Sequence, residues 1–235
     1  MGGTLALDIE TVSPDREPSE QSHFRDSSYF ELLAVGLGYR PDPGAPVETT
    51  VLFRDDDSPE AELALVEAVC DWCGDRPADT LVTYNGDGFD LIHLPGRADL
   101  AGDVVGDEGP RRRLDTVLTL DRVDLMDDVQ AAWGGRRSLG WVCEELGVDL
   151  GKTAWADYRH GLHPDDWRSD GKRGSTEVLN TDVPHFGERY LALASVDARE
   201  TLTFRALHDL LRDYTVGDIR PLFELVDCRP FDGDG

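Results

Sequence analysis

"LVTYNGDGFDLIHLPGRA", residues 81–98, passes from an apolar strand-like run through a polar turn into a helix-like run. Asn85, Gly86, Asp87 and Gly88 form the turn, and Phe89 and Asp90 open the helix. Glycines tolerate positive φ, so the chain is expected to reverse sharply here and present Asp90 at the sheet edge. A carboxylate in the first helical turn is also favoured by the helix dipole. The plain alternative is an Asx-type turn with no chemical role.

A second acidic stretch lies upstream, in "TLALDIET" (4–11). Alternation along a strand puts Asp8 and Glu10 on one face and Leu5, Leu7 and Ile9 on the other. Two neighbouring anions repel unless a cation lies between them, so the pair is a candidate ligand set for a divalent metal.

Composition sets how much such motifs are worth. The 235 residues include 48 Asp plus Glu against 23 Lys plus Arg, for a net charge of −25. Acid is common enough that a lone D-x-E means little. Only Lys152 and Lys172 are lysines, an acid-rich and lysine-poor balance of the halophilic type. At molar salt the Debye length falls to roughly 3 Å, so this charge does not exclude a nucleic-acid partner. A hydrophobic fraction of 40% suffices for a core and excludes a disordered acidic chain. The opening "MGGTLALDIE" has no basic n-region, no apolar run reaches a membrane span of ~20 residues, and four cysteines make no disulfide framework. A cytoplasmic location without membrane contact is expected.

Outward from these stretches, strands are expected at 4–10, 30–40, 46–54 and 79–85, with "PDPG" (41–44) turning a hairpin. "SPEAELALVEAVCDWCGD" (58–75) reads as a helix capped by Ser58, with Pro59 at its first position. Residues 89–102 read as a helix with Pro95 as a bend, 111–128 as holding a further strand, and 137–148 as a helix capped by Ser138. Residues 149–180 read as a loop insertion. One long amphipathic helix or two cover 183–214, and 215–235 reads as weakly structured. The order predicts an α/β fold in a single domain, 1–235.

Together the motifs resemble those of the DEDD superfamily of 3′–5′ exonucleases. They are most similar to the proofreading exonuclease domain of family B DNA polymerases and its free-standing, haloarchaeal-type relatives. The resemblance rests on Asp8 and Glu10 for D-x-E, and on Asn85, Phe89 and Asp90 for N-x-x-x-F-D. It also takes in "RVDLMDD" (122–128), the helix of "RRSLGWVCEELGV" (136–148), and Asp197 in "LALASVDARETLTFRAL" (191–207). It implies an RNase H-like mixed five-stranded sheet flanked by helices. It further implies hydrolysis of phosphodiester bonds at a single-stranded 3′ end, DNA ahead of RNA, with a role in DNA repair.

By the same resemblance, Asp8, Glu10, Asp90 and Asp197 would hold two Mg²⁺ or Mn²⁺ ions. Asp8 would bridge both, Glu10 and Asp197 would serve the ion that activates the attacking water, and Asp90 the one that stabilises the leaving 3′-oxygen. Thr11, Tyr84, Asn85 and Phe89 would line the substrate.

The pattern departs from the family at one point. The family carries a Tyr four residues before its last Asp, or a His five before; here those positions hold Leu193 and Ala192. Three alternatives stay open. The activated water acts alone, Tyr190 or His185 substitutes, or the chain is a weak or inactive nucleic-acid-binding module. A structure-specific endonuclease on the same fold is a further alternative. Two H-x4-D pairs, His208 with Asp213 and His160 with Asp165, compete weakly with Asp197; "YTVGD" (214–218) reads as ending the helix after Asp213.

Among the remaining signals, "CDWC" (70–73) is read as core packing rather than a zinc site, and "HGLH" (160–163) as loop polar residues. "GPRRRL" (109–114) and "GGRRSL" (134–139) are the basic clusters. Each is suited equally to phosphate or to neighbouring carboxylates.

Overall fold

The computed structural model describes residues 2–158 and 175–232. Its centre is a five-stranded sheet made of β1 (Gly3–Val12), β2 (Glu31–Arg40), β3 (Glu48–Phe53), β4 (Ala78–Thr83) and β5 (Asp121–Asp124), in the order β3-β2-β1-β4-β5. β1 runs antiparallel to β2 and β2 to β3, while β4 and β5 are parallel to β1. With helices on its faces, this is the RNase H-like topology that the motifs imply.

β1 is buried on both faces, because both are covered. Leu5, Leu7 and Ile9 pack against α1 (Pro59–Gly74), α2 (Asp90–Val105) and α3 (Gly109–Leu118). On the other face, Ala6 and Val82 pack against α4 (Leu125–Trp133), α5 (Leu139–Leu146) and the end of α7 (Leu202–Asp227). Val12, Leu33 and Ala34 meet α6 (Val183–Ser195) and the start of α7. The caps follow the sequence: Ser58 accepts from the Ala61 N–H at 3.2 Å and Ser138 from the Trp141 N–H at 3.3 Å.

Two expectations are filled in and a third needs correction. Residues 111–128 hold not only a strand: α3 precedes β5 and α4 follows it. The 183–214 region is two helices, separated by a turn in which Asp197 adopts φ 56° and closed by Thr201, whose hydroxyl accepts from the Phe204 N–H at 3.2 Å. Residues 215–227 are not weakly structured, because α7 continues to Asp227 through Gly217 and Pro221. Those two residues read as helix breakers, but each is answered by packing. Gly217 is in close contact with Gly151, whose carbonyl oxygen would sit 2.4 Å from a Cβ there, and Pro221 is buried.

The described parts of 149–180 are tied down rather than loose. Ala154 bridges Glu177, and Trp155 packs edge-on against Phe186 with ring centroids 4.8 Å apart. Among the described residues no helix is long and apolar enough to cross a membrane.

Candidate active site

The sheet brings α7 against Asp8 and Glu10 by omitting side chains. Gly36 pairs with Asp8 across β1–β2. A Cβ on Gly36 would lie 2.5 Å from Thr215 Cγ2, and one on Gly38 2.5 Å from the Phe223 ring. These bare positions let α7 rest on the backbone of β2. The fully buried Thr215 then donates from its hydroxyl to Glu10 Oε1 at 3.2 Å.

Three residues further along α7, Asp218 meets the β1 pair. Asp8, Glu10 and Asp218 each offer a carboxylate oxygen, and these oxygens lie within 4.8 Å of one another. Tyr214 precedes Asp218 by four residues, one helical turn, so the two side chains share a face, and the hydroxyl acts on the Asp218 carboxylate.

Asp90 arrives from the other side of β1. The ladder between β1 and β4 ends at the Ala6–Val82 pair, and the Ile9 N–H beyond it donates to Asp90 Oδ1 at 3.0 Å. Asp90 is the first residue of α2 and only 4% exposed.

The turn that delivers Asp90 differs in detail from the expectation. The positive φ belongs to Asn85, at 65°, not to the glycines. Gly86 and Gly88 are there for close approach: a Cβ would sit 2.3 Å from Thr83 Oγ1 at the first and 2.5 Å from Asn85 Oδ1 at the second. Asp124, at the end of β5, fastens the turn by accepting from the Asn85 N–H at 2.6 Å and the Asp87 N–H at 3.0 Å, and it also caps α4.

Four acids so close together resist ionisation. Burial is the largest cause for each. It pushes Asp8 well above the usual carboxylate range, helped by Asp90, Glu10 and Asp218, and Glu10 likewise, helped by Asp218. Asp90 is raised to about 7, and Asp218 to about 6 even with the opposing effect of Tyr214. Such uncompensated charge, presented as hard carboxylate oxygen, fits a divalent cation such as Mg²⁺ or Mn²⁺. The cluster opens to a cleft of about 980 Å³ whose lining includes Asp8, Tyr84, Trp141, Lys152, Tyr214 and Asp218.

Not every expected residue joins it. Asp197, expected on a late helix facing Asp8 and Glu10, instead lies exposed in the turn between α6 and α7, outside the acidic cluster. Tyr190 is buried against Phe53 and Phe204, and His185 is exposed on α6. Asp213 accepts from the Tyr158 hydroxyl at 2.6 Å, and His208 packs on the Phe53 ring. The 160–163 pair of histidines and the His160–Asp165 match lie outside the described residues.

Thr11 follows the bulge between Glu10 and Thr11 at the end of β1. Phe89 packs edge-on to Phe30 at 5.2 Å, under the turn, and Tyr84 donates to the Arg137 carbonyl at 2.7 Å. Asp218 and Tyr214 were missed because "YTVGD" (214–218), with Gly217, reads locally as a stop. The usable signal was Y-x-x-x-D itself, at 214–218.

The other motifs resolve by position. Cys70 and Cys73 lie in the core, and burial pushes their thiols up to about 11 and about 12. Arg111, Arg112 and Arg113 all pair with carboxylates, whereas Arg136 contacts the Asn85 side chain.

No family model matches the sequence, and no curated protein matches it. Among solved structures, the chain is similar to the family B DNA polymerase of the hyperthermophilic archaeon Pyrobaculum calidifontis, with 15% identity and a TM-score of 0.49. That match covers 97% of this chain and 24% of the polymerase. It is also similar to E. coli exonuclease I in complex with a dA16 oligonucleotide, with 13% identity and a TM-score of 0.33 over 89% of this chain and 43% of that one. The chain thus spans less than half the length of either.

Proposed function

We propose that this protein is a metal-dependent 3′–5′ exonuclease in which Asp8, Glu10, Asp90 and Asp218 hold the cations and Tyr214 positions the attacking water. The observation that carries this reading is the meeting of Asp8, Glu10 and Asp218 within 4.8 Å, with Tyr214 one turn before Asp218. A pair of bound Mg²⁺ or Mn²⁺ ions would supply Lewis-acid stabilisation and a nucleophilic water at neutral pH.

The chain's own groups do the rest. Without a cation, the acidic cluster repels a phosphodiester, so placement of the scissile bond against the carboxylates depends on metal. Thr215 holds the Glu10 carboxylate through its hydroxyl. Asp90 is held by the Ile9 N–H, which fixes its carboxylate against β1. Burial and the neighbouring Asp218, Glu10 and Asp8 push the Tyr214 phenol far above its ordinary range. In the metal-free fold Tyr214 therefore stays protonated, which suits a hydrogen-bonding orienter of the water.

The substrate under this reading is a single-stranded 3′ end, DNA ahead of RNA, and the product a nucleoside monophosphate. The whole chain, 1–235, acts as one cytoplasmic RNase H-like domain suited to DNA repair, with Thr11, Tyr84, Asn85 and Phe89 around the strand end. The alternative of an inactive binding module draws on the apolar Leu193 and Ala192; Tyr214, one turn before Asp218, supports the enzyme instead.

The test is an assay on 5′-labelled single strands at high salt with Mn²⁺. Stepwise shortening from the 3′ end that requires metal, and vanishes in Asp8→Ala, supports the reading. Cleavage of a circular strand would instead indicate an endonuclease. Binding without cleavage would overturn the enzyme.

A further inference from the structure

Among the described residues most arginines have a carboxylate partner; Arg16, Arg25, Arg136, Arg137 and Arg220 do not, and of these Arg136 and Arg137 are adjacent and border the cleft through Trp141. Arg40, Arg54, Arg76, Arg97, Arg111, Arg112 and Arg113 all form ion pairs. Arg136 and Arg137 form none among the described residues. The Arg136 guanidinium donates to Asn85 Oδ1. That of Arg137 donates to the carbonyl oxygens of Arg136 at 3.1 Å and Trp133 at 3.4 Å. In a chain of net charge −25, two adjacent guanidiniums left with neutral partners are charge held in reserve for an anion.

An aromatic ring stands beside them. Trp141 is 36% exposed, lines the same cleft as Asp8, Tyr214 and Asp218, and carries the Arg137 guanidinium 5.2 Å from its ring centroid. Its orientation is set from behind by Trp133, edge-on at 5.3 Å, which in turn packs on Phe231 at 5.7 Å. The segment between is fastened as well, because the Tyr84 hydroxyl donates to the Arg137 carbonyl. Little ordering is therefore left to be done when something binds.

We infer that Trp141, Arg136 and Arg137 form the platform that receives a single-stranded polynucleotide as it enters the acidic cleft, with one base stacked on Trp141 and its flanking phosphates on the two guanidiniums. The inference rests on the nuclease reading of this cleft and adds how the strand is held and what it is recognised by. Aromatic stacking accepts any base, and the arginines read only phosphate, so the platform takes single strands without sequence preference. It also solves an electrostatic problem: the strand is gripped by cations at the rim before its 3′ end meets the carboxylates.

The test measures binding in EDTA, where no cleavage proceeds, by the anisotropy of 5′-fluorescein dT12 and of an abasic strand of equal length, across a salt series. Expected for Trp141→Ala is a roughly 5- to 100-fold loss of dT12 affinity with abasic binding retained, and for Trp141→Phe a smaller loss. Expected for the double variant Arg136→Gln, Arg137→Gln is weaker binding of both strands and a salt slope shallower by about 1.4, two phosphates' worth on a single strand. Thermal melts check that the variants, all at exposed positions, remain folded.

The platform is overturned if both variants bind dT12 as the parent does, or if Trp141→Ala weakens abasic and normal strands alike. Parallel assay of the parent with Mn²⁺ separates the two ideas. Cleavage by the parent with unchanged binding in the variants sinks the platform and leaves the nuclease standing. A parent that neither binds nor cleaves sinks both.

Discussion

Asp8 and Gly36 stand opposite each other in the β1–β2 ladder, and the empty side-chain position at Gly36 is where Thr215 of α7 seats. The acidic cluster thus depends on a residue that carries no functional group. Gly36→Ala places a methyl 2.5 Å from Thr215 Cγ2 and 2.9 Å from Ile219, both on β-branched side chains that turn with difficulty. The expected result is a loss of about 1–3 kcal/mol in urea unfolding from overpacking. Mn²⁺ affinity, followed by calorimetry, falls with it, because the substitution lifts Asp218 away from Asp8.

Asp218 and Asp197 give a paired comparison. Asp218→Asn removes a member of the cluster and is expected to lower exonuclease rate by about 100-fold or more, at least what outer-shell partners of a metal are worth. Asp197→Asn changes an exposed turn and should leave the rate within about twofold. Equal losses in the two variants would contradict the assignment of the third motif to α7.

Tyr214→Phe keeps the ring and deletes the hydroxyl beside Asp218. Single-turnover rate is expected to fall by ~10²-fold, within the range for losing a positioned proton-handling group. The pH–rate profile should keep its alkaline limb, since a phenol held this far above its ordinary range does not titrate in the working window. Loss of a limb on which the parent's rate rises with pH would make Tyr214 a base after all.

The raised acids give the metal-free protein a definite pH dependence. Asp90 sits at about 7 and Asp218 at about 6 in the fold, against ordinary values near 4 in the unfolded chain. Between about pH 4 and 7 the folded state binds more protons, so these groups lower stability as pH rises through that window. Melting temperatures in EDTA, compared between parent and the Asp8→Asn, Asp218→Asn double variant, should show the parent losing ground from pH 5 to pH 8. Added Mg²⁺ should raise the parent's melting point far more at pH 8 than at pH 5, and the double variant's little at either.

Asp124→Ala unfastens the turn around Asn85. It removes the acceptor for two backbone N–H groups and the cap of α4. The expected stability loss is ~1–2 kcal/mol, and kcat should fall more than KM rises, because Asp90 is misaimed while the rest of the cleft stays in place.

Much of this was legible in the sequence, and the failures have one cause. Strand alternation placed Asp8 and Glu10 on one face, and the Asn85 to Asp90 turn announced an acid at a helix start. Ser58 and Ser138 announced their helices, and the hairpin and the alternation of elements announced a mixed α/β sheet, whose five-stranded RNase H-like arrangement was implied only by the resemblance. What stayed hidden was α7 beyond Asp213. "YTVGD" (214–218), with Gly217, reads locally as a stop, whereas the contact of Gly217 with Gly151 and the burial of Pro221 belong to tertiary structure. With the helix ended too early, Asp218 had nothing to sit on, and the third motif was read at Asp197 from the likeness of 191–207 to the family's late helix. The partition of the two arginine clusters was equally out of reach, since it depends on which carboxylates the fold brings near.

The bidentate contact of Arg40 with Asp227, at 2.6 and 2.7 Å, closes the far end of α7 against β2. Nine residues and about 14 Å of helix separate Asp227 from Asp218. The helix is therefore a lever pinned at a distance from its working point. Its azimuth over the sheet, and with it the aim of a carboxylate that Arg40 never touches, is tuned at that remote pin.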